Sequence, residues 1–186
     1  MKRVRITMEH TEESVRRLAK VQYDTFSFSV KLLWYAVCLL AILVGFGLIV
    51  DLGKPLRYIP LAFGCMAIVN IGASGRLRAG KTLEAVRRQG GFPCTAMTFT
   101  EREIQIVERT GGENTLEYGG LFRLVEDGEY LYLFINQNAA YMVPKEQLED
   151  EESFRRFLEE KSGRSFQRPA SLLNFRLSTL RGQRKR

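Results

Sequence analysis

Two apolar runs constrain this chain more than any other feature. Leu32 to Val50 is a stretch of 19 residues without a charge, and Tyr58 to Gly75 is another of 18. As helices each spans roughly 27–28 Å, close to the ~30 Å hydrocarbon core of a bilayer. A buried helix of a soluble bundle keeps a polar face, and neither run has one. The pair predicts two transmembrane helices folded as a hairpin over residues 30–75. The first run starts too far into the chain, and is too long, for the apolar core of a secretory signal.

Orientation follows from short-loop Lys and Arg. Lys2, Arg3, Arg5, Arg16, Arg17, Lys20 and Lys31 precede the first run; Arg76, Arg78, Lys81, Arg87 and Arg88 follow the second. The loop Asp51 to Arg57 holds only Lys54 and Arg57. This predicts a multi-pass protein of the cell membrane with both termini cytoplasmic. Trp34 and Tyr35 then fall at the inner interface and Tyr58 at the outer, where amphipathic rings are favoured. Gly64, Ala67, Gly72 and Ala73 permit close helix approach, and Asn70 is expected to hydrogen-bond across the pair.

The flanking segments show two other periods. Val4, Ile6 and Met8 alternate with polar residues as in a strand. Thr11 is placed to cap a helix over 12–28, with Glu12 and Glu13 in its first turn. That helix is expected to run close to the first span. Arg76 to Gln89 suits a basic amphipathic helix, with Leu77, Leu83 and Val86 toward lipid and the arginines at the headgroups. From Cys94 to Val143 the period is two, with turns at Thr110–Glu113, Asp127-Gly128 and Gln137-Asn138. This predicts a meander of about five antiparallel strands, one of them Leu116 to Val125. Pro144 ends it, and Glu151 to Lys161 closes the domain as a helix burying Phe154, Phe157 and Leu158.

The predicted organisation is a strand and helix (1–29), the hairpin (30–75), the basic juxtamembrane helix (76–90), a cytoplasmic domain (94–163) and a basic tail (164–186). Charge separates the last two. Residues 89–163 hold 15 acids against 7 bases, whereas 164–186 hold 7 bases and no acid. The tail interleaves its bases with Leu172, Leu173, Phe175, Leu177 and Leu180, a pattern suited to a helix on anionic lipid. The predicted membrane-surface residues are Arg76, Arg78, Lys81, Arg87 and Arg88, with Arg176, Arg181, Arg184, Lys185 and Arg186 in the tail.

Signals for catalysis are weak. Cys38, Cys65 and Cys94 have no disulfide or metal spacing, and His10 is the sole histidine. Gly75 to Thr82 spells the P-loop pattern GxxxxGK[ST]. A working P-loop joins a strand to a helix in a parallel sheet, and here the preceding segment is a membrane run and the following one an antiparallel meander. Glu101 with Glu103, and the acidic run from Glu149 to Glu152, are read as a solvated strand edge and a helix N-terminus. The expectation is a protein with no enzymatic activity, cofactor or metal.

The order of these elements resembles the YcxB-like bacterial membrane proteins. The likeness is carried by Thr98-Phe99-Thr100-Glu101, Tyr118-Gly119-Gly120-Leu121, Tyr130 to Phe134, Met142-Val143-Pro144-Lys145 and Phe154 to Leu158. It implies a membrane hairpin with a C-terminal pleckstrin-homology-like (PH-like) domain. The implied fold class is a membrane α-helical hairpin plus an α+β domain, its antiparallel meander or barrel closed by a helix. The basic tail is outside the family pattern, and the family supplies no catalytic residues to carry over. The reading that follows is a membrane-anchored module at the cytoplasmic face. Its partners are the bilayer, anionic headgroups or a protein, with no small-molecule substrate. The alternatives are nucleic-acid contact through the tail and nucleotide binding through 75–82.

Overall fold

The computed structural model describes residues 3–47, 54–88, 91–109 and 111–169. Residues 51–53 of the expected outer loop lie outside them. So do residues 170–186, with Arg176, Arg181, Arg184, Lys185 and Arg186.

The chain opens with β1 (Val4–Glu9) and α1 (Glu12–Phe26). Thr11 caps α1 in a capping box with Ser14, each side chain accepting from the other's backbone N–H. After Ser27 comes α2 (Phe28–Gly45), then α3 (Lys54–Arg88), a helix of 35 residues that includes Pro60. Among the described residues α2 alone is long and apolar enough to cross a membrane; the apolar stretch of α3, Tyr58–Ile71, is shorter. The expected juxtamembrane helix is the uninterrupted continuation of α3.

The two apolar helices are antiparallel, because Gly45 of α2 lies against Leu61 while Cys38 and Ile42 lie against Gly64. A Cβ on Gly45 would stand 2.9 Å from the Leu61 backbone nitrogen, so this approach requires glycine. Asn70 does not bond across the pair; its amide donates to Met66 O at 3.0 Å, one turn back in its own helix. Nor does α1 run chiefly along α2. It packs on α3, with Glu12 paired to Arg87 at 2.6 Å and the Tyr23 hydroxyl 2.5 Å from Ser74 Oγ. Ala79 and Leu83 are buried as a result, so Leu83 does not point to lipid as expected; Leu77 is exposed.

The remaining chain forms β2 (Cys94–Phe99), β3 (Glu103–Glu108), β4 (Glu113–Glu117), β5 (Arg123–Glu126), β6 (Tyr130–Phe134), β7 (Ala140–Pro144) and α4 (Glu151–Ser162). The expected strand 116–125 is broken. A 3-10 turn at Tyr118–Gly120 separates β4 from β5, with the Tyr118 ring buried and its hydroxyl donating to Thr100 O at 2.7 Å. At that turn the chain leaves one sheet for another. One sheet has the order β1-β2-β3-β4, the second β5-β6-β7, and all pairs are antiparallel. The expected meander is therefore two sheets, not one closed barrel.

Alternation decides what faces inward: Ile6, Met8, Met97, Phe99, Ile104 and Ile106 of the first sheet share one core with Leu124, Leu131, Leu133 and Val143 of the second. Phe154 and Leu158 of α4 complete it, with Phe154 edge-on to Phe99 at 4.9 Å. Asp150 caps α4 and Gly163 ends it in the left-handed region. The domain extends past the boundary expected at 163. Phe166 is buried in the same core, and Gln167 forms a parallel bridge to Val125.

Candidate membrane-surface site

Where α1 turns into α2, polar side chains gather beneath the apolar pair. Lys31 is paired with Asp24 and stands 3.8 Å above the Tyr23 ring. Above this point Val30, Trp34, Phe63, Met66 and Ile71 line an open apolar groove of about 450 Å³.

Below it, α1, α3 and the β6–β7 turn enclose a polar groove of about 350 Å³, lined by Gln22, Ser27, Lys81, Thr82, Gln137 and Asn138. The Gln22 amide donates to Gln137 O at 2.7 Å, which ties the turn to α1. Lys81 lies seven residues beyond Ser74, roughly 10 Å further along the helix. It has no ion-pair partner among the described residues.

Of the predicted surface cations whose side chains are described, Lys81 lines this groove. Arg87 is engaged by Glu12, and Arg88 pairs with Glu84 at 2.5 Å; both arginines remain exposed. Arg16 and Arg87 together hold the Glu12 carboxyl below its ordinary value, Arg16 contributing most. Arg76 and Arg78 are on the helical backbone of α3. Gln22, Gln137 and Asn138 were not legible as site residues, since polar side chains on a helix face or in a turn are ordinary.

The domain is held to the helices by a second set of contacts. Arg17 pairs with Glu129 at 2.6 Å and stacks 5.5 Å from the Tyr130 ring. Phe26 packs on Phe134, edge-on at 5.0 Å, and on Phe122 at 5.9 Å. Val21 enters the shared core of the sheets. The same helix α1 thus grips α3 with one face and the β domain with another.

The Gly75–Thr82 motif lies wholly within α3. In a helix the backbone N–H groups are committed to carbonyls one turn back, so this segment does not form the phosphate-wrapping loop that the pattern requires. Among the described residues no group of three or more His, Cys, Asp or Glu side chains could hold a metal ion. His10 sits half-buried with its ring 3.5 Å from Ser14 Oγ, and burial lowers its pKa.

Residues 99–159 match the family described as YcxB-like protein. This segment is similar to the YcxB-like domain. The YcxB-like match runs from the end of β2 into α4. It leaves out β1, which pairs with β2 from across the helical segment, and Phe166, which fills the core from the other end. No curated protein and no solved structure matches the chain.

Proposed function

We propose that the chain is a non-catalytic, membrane-anchored interaction module with two spans and both termini cytoplasmic. In this reading the helix pair holds a PH-like domain at the inner leaflet, where it binds lipid headgroups or a protein segment. The carrying observation is that α1 is shared by the helical pair and the domain core, which ties domain position to anchor position. The apolar surface of α2 is largely exposed, as lipid contact requires and a soluble core helix does not. The antiparallel seam at Gly45 and Gly64 favours α3 as a second span, because a partner packed along a spanning helix lies at the same depth. Antiparallel sheets around one core, followed by a helix that completes it, support the PH-like part of this reading.

Alkaline carbonate extraction of membranes carrying the full chain tests the anchor. The protein should stay in the pellet; release into the supernatant would overturn the reading.

A further inference from the structure

The apolar and polar grooves lie one below the other along a single face of α3. Ala67, Ser74 and Lys81 follow at intervals of seven residues, just under two helical turns each, so they share that face. Ala67 and Ser74 line the apolar groove with Trp34 and Phe63, and Lys81 lines the polar one with Gln22 and Asn138. Tyr23 borders both, its hydroxyl on Ser74 Oγ. The change from apolar to polar lining therefore falls near Ser74, just past the apolar stretch Tyr58–Ile71 of the same helix.

Charge is placed unevenly along this face. Lys31, at the foot of the apolar groove, is neutralised by Asp24. Among the described residues Lys81 is the only charged side chain lining the polar groove, and it is exposed. Glu84, on the next turn of α3, is committed to Arg88. The other polar lining groups are neutral amides and hydroxyls, and the Ser27 hydroxyl does not cap α2. Amides and hydroxyls donate to an oxyanion, and no carboxylate lines the groove to repel one, so the lining selects an anion. A free anion would need the polar groove alone. The apolar groove directly above it, about 450 Å³ against about 350 Å³, suits a chain attached to that anion.

We propose that the two grooves together bind one anionic phospholipid, with its phosphate on Lys81 and an acyl chain along Trp34, Phe63 and Met66. This rests on the anchored reading above and deepens it by naming the lipid and the groove that takes it. Lys81 is also the lysine of the GxxxxGK[ST] pattern. Here it meets phosphate as a point charge on a helix face, with no wrapping loop.

Trp34 is the sole tryptophan, so its emission reports the apolar groove directly. The full chain is reconstituted in phosphatidylcholine vesicles that hold the same small fraction of either phosphatidate or phosphatidylcholine brominated high on the acyl chains. Bromine quenches tryptophan at contact, so quenching measures which lipid occupies the groove. Brominated phosphatidate should quench Trp34 in excess of brominated phosphatidylcholine, through a local enrichment of about fivefold, the effect of one lysine at an anionic surface. Lys81→Gln should remove the excess and Lys81→Arg should keep it. Lys20→Gln takes the same charge from an exposed position of α1 outside the groove and should leave the excess unchanged. Equal quenching by the two lipids, or an excess that survives Lys81→Gln, would overturn the site. An excess lost as fully with Lys20→Gln would reduce it to general surface charge and overturn it as well. Loss of the excess on adding inorganic phosphate, beyond the effect of chloride at equal ionic strength, would overturn the lipid as occupant in favour of a free anion. Failure of the anchor reads differently: neither brominated lipid quenches Trp34, and carbonate releases the protein. Equal quenching in a carbonate-resistant protein loses this site and keeps the anchor.

Discussion

Phe26, the last residue of α1, touches the rings of Phe122 and Phe134 and the Arg123 guanidinium at once. Truncating it to alanine should cost about 2 kcal/mol, below the range for a fully buried ring because Phe26 is only half-buried. Urea unfolding of the full chain in detergent would measure the loss. Conformational exchange is expected to rise chiefly at the α1–domain contact, readable by hydrogen exchange over Gln137 and Asn138. His10 gives a pH signature. Its folded pKa lies below its unfolded value because burial disfavours the charged ring. The unfolded chain therefore binds the extra proton first, and stability falls as pH drops through the ordinary histidine range and below. A His10→Gln variant should lose that part of the pH dependence, which thermal melts from pH 8 to pH 5 would show. Residue-scale roles were only partly legible. Thr11 announced its cap because Ser/Thr before an acidic first turn is a local signal. Arg123 gave no such signal, since nothing in the strand pattern distinguishes an arginine resting on an aromatic ring from one facing water.

Elements were most legible where a period and a turn agreed. The turns at Asp127-Gly128 and Gln137-Asn138 sit between β5, β6 and β7 as expected, because turn residues between alternating apolar runs are local evidence. The break at Tyr118 was hidden. It depends on a hydroxyl reaching Thr100 across 18 residues, and a period-two pattern continues through it in the sequence. The pairing of β1 with β2 was hidden too, since a strand's partner is a long-range choice. The same applies at the other end, where Phe166 reads as the start of a basic tail and is part of the core. Two truncations separate these roles. A chain ending at residue 169 should melt near the full-length value, whereas one ending at 163 should lose roughly 3 kcal/mol with the Phe166 ring and its edge pairing. Equal melting of both truncations would contradict the placement of residues 164–169. At the helix seam, Gly45→Ala should separate α2 from α3 because the added Cβ meets Leu61 backbone. A lower Tm of the full chain in detergent would report it.

At the scale of the molecule, the domain's first strand precedes the helical segment and its remaining strands follow it, so the sheet cannot be completed without both flanks on one side. This agrees with the charge distribution, in which Lys and Arg crowd both flanks and avoid the loop between. The apolar runs made a pair of apolar helices legible from composition alone. What composition could not convey was that the helix α1 joins that pair to the domain, because its two buried faces serve partners far apart in the chain. The most direct test of the account is two-sided labelling of the full chain in intact cells, with Cys38, Cys65 and Cys94 replaced and single cysteines placed at Lys54 or at Gln183. A membrane-impermeant maleimide added outside intact cells should label Lys54→Cys and leave Gln183→Cys unreacted until the membrane is opened. Labelling of Gln183→Cys from outside, or protection of Lys54→Cys, would contradict an anchored hairpin with both termini in the cytoplasm.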